Sequence, residues 1–182
     1  MRAHADPITF ELHRDDQDYT AGLLESGAVS AAVTSQSTPV AGCSVRPLGA
    51  MRYLPVATPA FIETWLSEQD ATAFSRAPLI DFDRRDALQT HYLELIGADP
   101  TAPPRHRVPA SSDFARASEL GFGWALVPEY QSEPAITAGH LARLGGPPVD
   151  VPLFWQRWKL QSPLLEAIEE AVVTAARATL HQ

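Results

Sequence analysis

Residues 28–57, AVSAAVTSQSTPVAGCSVRPLGAMRYLPVA, carry the pattern from which the rest of the chain can be placed. An apolar run, Ala28 to Val33, stops at five consecutive hydroxyl or amide side chains, Thr34-Ser35-Gln36-Ser37-Thr38. After Pro39 and Gly42 the pattern turns extended again over Ser44–Leu48 and Met51–Ala57. A buried strand, a polar loop at its carboxyl end and a long second strand form a ligand-binding edge of an open α/β sheet. Backbone groups and loop side chains converge outside strand ends, and ligands collect there.

Working outward, residues 8–14 (ITFELHR) alternate apolar and polar, which predicts a strand with one buried face. Asp15 or Asp16 is expected to cap a short helix through Tyr19, Leu23 and Leu24, with Gly27 as its stop. Strand, helix and strand in about thirty residues make a parallel crossover unit. Downstream, Thr58-Pro59 opens a helix with a stripe of Phe61, Ile62, Trp65 and Leu66. Pro78-Leu79-Ile80 is a short strand, and 83–96 a helix stopped by Gly97. His106 to Pro109 predicts a strand, Ser111 a helix cap, and Trp124 to Val127 another strand. Pro134 to Leu141 reads as a weak helix. Residues 151–160 are apolar on both alternations and hence buried on two faces, and Ser162-Pro163 opens the longest helix. The class is α/β with mainly parallel strands.

Composition narrows the function. With 182 residues the chain makes one domain or two small lobes. Its 14 basic and 22 acidic residues give a net charge of -8, and no basic stripe is present to neutralise phosphates, so direct DNA or RNA binding is not expected. A basic ligand suits an acidic protein. Cys43 is the single cysteine, which excludes an intrachain disulfide and a cysteine-based zinc site and fits a cytoplasmic setting. No signal peptide or membrane span is read, so no membrane partner is expected.

Catalytic constellations are not found. The six histidines lack metal-ligand spacing, no G-x-S-x-G surrounds a serine, and neither a metal nor a cofactor is expected. Gly121-Phe122-Gly123 reads as a helix stop and tight strand entry, and Cys43 as a small buried residue. Asp81, Asp83 and Asp86 bracket Arg84 and Arg85. Two readings stand for them, a capped charged turn and a carboxylate facing a ligand's cationic group. Ser111 and Ser112 leave N–H groups and a hydroxyl at a helix start, which suits a carboxylate. The chain reads as a binding module, not an enzyme.

Five motifs in order, AVTSQSTPVAGCSVRPLGAMRYLPVATPAF, APLIDFDRRDALQ, HRVPASSDF, GFGWALVPE and VPLFWQRW, resemble the effector-binding domain of LysR-type transcriptional regulators. The combination is similar to the lysine- and arginine-responsive, ArgP/LysG-like branch, which controls export of basic amino acids. The resemblance implies a type 2 periplasmic-binding-protein-like fold of two α/β lobes joined by two crossing strands. Residues 1–52 plus 156–182 would form lobe I and 53–155 lobe II, with crossings near 52–57 and 151–155. It implies an effector, lysine or arginine, held in the cleft between lobes by Thr34, Ser35 and Gln36 and by Ser111 and Ser112, with Arg52 a further candidate. Asp81 or Asp83, from charge and place, would receive the basic side chain. The implied partners are the effector and further copies of the chain, as homodimer or tetramer, with DNA bound only through an N-terminal helix-turn-helix domain. Against that pattern the chain starts at what would be the domain's second strand, so an N-terminally truncated fold is expected. Weak or lost effector affinity, low stability and an apolar edge open to self-association follow from that. A stand-alone interaction protein that pairs with a full-length regulator is the alternative reading.

Overall fold

The structure, a computed structural model, describes residues 8–14 and 20–182. In chain order the elements are α1 (Thr20–Glu25), β1 (Ala31–Thr34), β2 (Cys43–Ala57), α2 (Pro59–Trp65), α3 (Ala71–Phe74), β3 (Leu79–Asp81) and α4 (Leu88–Leu95). There follow β4 (Arg105–Arg107), α5 (Ser111–Glu119), β5 (Ala125–Pro128), α6 (Glu129–Thr137), β6 (Ala142–Arg143), β7 (Val149–Trp158) and α7 (Pro163–Thr179). The chain divides into two compact units, Met1–Leu48 with Leu153–Ala175, and Gly49–Pro152 with Ala176–Gln182. Two strands, β2 and β7, run through from one unit into the other.

In the first unit β1 pairs antiparallel with β7, from Ala31 opposite Arg157 to Thr34 opposite Phe154. Ala21, Leu24, Val40 and Cys43 make a small core against which Val29, Ala32 and Trp158 pack. Gly42 has a left-handed φ of 82°, and a Cβ there would come within 2.9 Å of the Trp158 ring, so the turn that enters β2 requires glycine. Arg157 and Arg46 converge on the Glu169 carboxylate of α7 at 2.5 and 3.2 Å. That pair fixes α7 beside the strands.

The expected strand over residues 8–14 does not form. Alternation yields a strand only where there is an edge to pair and a face to bury, and here Phe10 and Leu12 remain 65% and 89% exposed. The expected parallel crossover therefore does not form among the described residues. Ile8 to Arg14 instead line an open groove of about 670 Å³ with Leu23, Val33, Trp155, Leu165 and Ile168. Asp15, Asp16 and Tyr19, expected to begin the first helix, lie outside the described residues.

The second unit is built on β2 paired antiparallel with β5 and β6. Successive β5 residues point to opposite faces. Trp124 and Leu126 join Phe74, Leu79, Tyr92 and Leu93 on one face. Ala125 and Val127 join Leu54, Val56, Ile80 and Phe114 on the other. Trp124 is wholly buried, with the Phe74 ring edge-on at 5.2 Å. Gly123 lies against the backbone of Pro78 and Leu79, where a Cβ would meet Pro78 O at 2.8 Å. That close approach is the tight strand entry expected of it.

Three ladders, β1–β7, β2–β5 and β2–β6, are antiparallel, and β3–β4 is parallel. The mainly parallel expectation thus gives way to a mixture, because β1 lies antiparallel to β7 and β2 to β5 and β6, while the parallel pair β3–β4 is a separate two-stranded sheet. Ser44–Leu48 and Met51–Ala57, read as separate segments, are one 15-residue strand. Thr58 caps α2 as expected, accepting from Phe61 N at 3.2 Å, with Pro59 at the first position. Trp65, expected on the buried stripe, is 44% exposed and stacks on Phe61 at the helix end. Helix α4 starts at Leu88 rather than 83, because Asp83 and Asp86 take the intervening N–H groups into a turn. Short α3, capped by Asp70, is an addition to the expected elements. No helix among the described residues is long and apolar enough to cross a membrane.

Candidate functional site

In the first unit the Thr34–Val40 turn is held from beneath by one side chain. Thr34 ends β1 wholly buried, and its hydroxyl accepts from Gln36 N at 3.2 Å. Ser35 is half-buried and Gln36 exposed. Gln156, on the neighbouring β7 and 0% exposed, donates through Nε2 to the carbonyls of Gln36 (2.9 Å) and Thr38 (3.1 Å). Its Oε1 accepts from Val40 N at 2.9 Å. Three backbone groups of a loop are thereby satisfied by one amide, as a buried polar side chain requires. Cys43, just beyond the turn, is buried and unbonded to any other cysteine. Burial pushes its thiol up, with Lys159 opposing, so it is a packing residue and not a nucleophile.

In the second unit Arg52 lies on β2 and donates to Asp150 of β7 through Nε and Nη2, both at 2.8 Å. This two-pronged bond holds the Asp150 carboxyl below its ordinary range and raises the guanidinium. His181 Nε2 meets Glu129 Oε2 at 2.6 Å nearby, and backbone bonds between His181 and Ala50 pin the chain's end to β2. Arg52 is thus already matched by a carboxylate of its own chain.

Asp81 is 2% exposed at the end of β3, and both carboxylate oxygens accept from Arg105 Nη1 at 3.0 Å. Desolvation is the larger influence and leaves the carboxyl raised despite Arg105. Arg105 also donates to Pro100 O. Asp83 accepts from the backbone N–H groups of Arg85 (2.6 Å) and Asp86 (3.1 Å) and from the Arg85 side chain, which together lower its carboxyl. Asp86 accepts from Phe82 N and Leu88 N. The capped-turn reading therefore describes what Asp83 and Asp86 do, and Asp81 has a cation within its own unit.

Ser111 and Ser112 occupy the first turn of α5. The cap is Ala110, extended at φ -149° and ψ 124° and without a side-chain bond, so Ser111 is inside the helix and not its cap. Phe114 N closes the first turn on Ala110 O at 2.8 Å. An uncapped start leaves the first N–H groups of this nine-residue helix directed outward with the positive end of its dipole. Half-buried Ser111 and exposed Ser112 add hydroxyls there.

The LysR substrate binding domain model matches residues 1–177. The chain belongs to this family. Among its relatives, the lysine export transcriptional regulatory protein LysG of Corynebacterium efficiens is 42% identical over 181 residues, 98% of this chain and 61% of the relative. The solved ArgP of Mycobacterium tuberculosis superposes with a TM-score of 0.89 at 37% identity, covering 94% of this chain and 59% of that one. Full-length LysG of Corynebacterium glutamicum with bound effector Arg gives 0.86 at 35% identity, covering 96% and 60%. The LysR-family chain thus spans about three-fifths of the length of the relatives it matches. Its fold is the type 2 periplasmic-binding-protein-like α/β fold of these effector domains, and its relatives are transcriptional regulators, not enzymes.

Sequence reasoning missed Gln156, Asp150, Glu129 and His181. A glutamine inside the otherwise apolar run VPLFWQRW was the available signal, since a polar side chain buried on both faces must find partners. The other three carried none, because their meeting depends on how β2, β7 and the chain's end come together in the second unit.

Proposed function

We propose that this chain is the effector-sensing part of a cytoplasmic LysR-type regulator and binds a basic amino acid, arginine or lysine, to control transcription of an amino-acid export gene. The observation that carries this reading is the likeness to the arginine-bound LysG chain, which extends over 96% of the residues at a TM-score of 0.86. The net charge of -8 favours a cationic ligand over an anionic one.

The ligand-contacting residues proposed are Thr34, Ser35 and Gln36 in the first unit, and Ser111 and Ser112 in the second. Arg52, Asp81 and Asp83 complete the set. Each already has an intrachain partner, so each contributes charge and placement rather than a vacant bond. Self-association as homodimer or tetramer, and DNA contact through an N-terminal helix-turn-helix domain, belong to the same proposal. A ligand acts in such a regulator only by favouring one arrangement over another.

A thermal-shift panel of amino acids tests it, run to high millimolar ligand. Arginine or lysine raises the midpoint and glutamate leaves it unchanged. An equal response to glutamate, or no response to either basic amino acid, contradicts the proposal.

A further inference from the structure

Gln156 does more than satisfy a loop. Its amide draws two consecutive-but-one carbonyls, those of Gln36 and Thr38, down against β7, and Val40 N–H with them. All peptide bonds described are trans, so the N–H of residue 37 lies across its peptide plane from the Gln36 carbonyl. With that carbonyl turned inward to Gln156, the Ser37 N–H is turned outward. Ser37 itself is exposed, and no left-handed φ is recorded for it.

We infer that Gln156 is the positioning residue of the effector loop. By holding the Gln36 and Thr38 carbonyls against the strand, it presents the Ser37 N–H to the carboxylate of the basic amino acid. The inward pull also keeps two negative carbonyl dipoles away from that carboxylate. Without the glutamine, either peptide could rotate and offer an oxygen where the ligand needs a donor. The inference rests on the effector reading above and names the part of the effector that this loop reads.

The test compares arginine with agmatine, which keeps the guanidinium and lacks the carboxylate, on the 182-residue chain and three variants. Ser37→Pro removes the N–H at an exposed position, and Ser37→Ala keeps it. Gln156→Glu keeps the acceptor for Val40 N–H and replaces the donor facing two carbonyls. The expected result is a preference of the wild-type chain for arginine, retained by Ser37→Ala. Ser37→Pro and Gln156→Glu should each weaken arginine about tenfold, the loss of one hydrogen bond to a charged group, with agmatine unchanged. An arginine-to-agmatine ratio that stays constant in both variants overturns the inference, as does an equal loss of both ligands in step with a fall in melting temperature. If Ser37→Ala behaves as Ser37→Pro, the hydroxyl is the donor and the backbone assignment fails. A wild-type chain that responds to neither arginine nor lysine overturns the effector reading itself, a separate result from an unchanged ratio.

Discussion

A buried amide that serves three backbone groups is costly to lose. Gln156→Leu would strand the buried Val40 N–H, at about 1–3 kcal/mol for a buried unsatisfied group, and would take the partner from the part-buried carbonyls of Gln36 and Thr38. Denaturant unfolding of this variant should show a loss of at least about 2 kcal/mol, whereas Ser37→Ala, exposed, should be near neutral. Asp150 gives a pH-dependent test. Its carboxyl is held below the ordinary value of 3.8 by Arg52, so its contribution to stability is present above that value and lost as pH falls through the folded-state value. The melting-temperature gap between wild type and Asp150→Asn should accordingly be largest above about pH 5 and close in more acid solution. Legibility at this scale was uneven. The polar run Thr34–Thr38 announced the turn that ends β1 by residue type alone. Asp83's ambiguity resolved only when the Arg85 and Asp86 N–H groups were seen to end at its carboxylate.

Among the elements, those with local causes were readable and those with distant causes were not. Thr58 and Pro59 specify the start of α2 by themselves. Thr58→Ala should cost about 1 kcal/mol in chemical denaturation, the usual worth of such a cap. Glycine at 27 and 97, at left-handed φ of 72° and 74°, stops helices as composition suggests. Residues 8–14 show the opposite case, since strand formation there depends on a neighbour that alternation cannot supply. One edge of β1 faces β7, where Trp158 N reaches Ser30 O, so the alternate residues Ala31 and Val33 direct their backbone groups to the other edge. Thr20 Oγ1 covers the Val33 carbonyl at 2.7 Å. That edge adjoins the apolar groove, a combination that favours association between copies. Light scattering coupled to size exclusion should show mass rising with concentration, and Val33→Lys, at a 39% exposed position on this strand, should suppress the rise. Unchanged association in the variant would place the contact elsewhere.

Taken whole, the chain is two α/β units, with β2 and β7 running from one into the other. The first offers a turn whose carbonyls are turned away by Gln156. The second offers the uncapped first turn of α5, and a set of carboxylates that are mostly matched by Arg52, Arg105 and Arg85. Because those acids are matched internally, the proposed preference for a cationic ligand would draw on the net field of -8 as much as on any single carboxylate. The motifs visible in sequence were those at turns and strand ends, where residue type dictates conformation. Pairings across long separations, such as Gln156 with Gln36 and Arg52 with Asp150, became visible only with the fold.

Calorimetric titration of the chain with arginine, followed by displacement with lysine, tests whether the chain holds a basic amino acid. Saturable binding of arginine that lysine competes away and glutamate does not is the expected result. Absence of binding by either basic amino acid at saturating concentration, or displacement by glutamate as effective as by lysine, would contradict it.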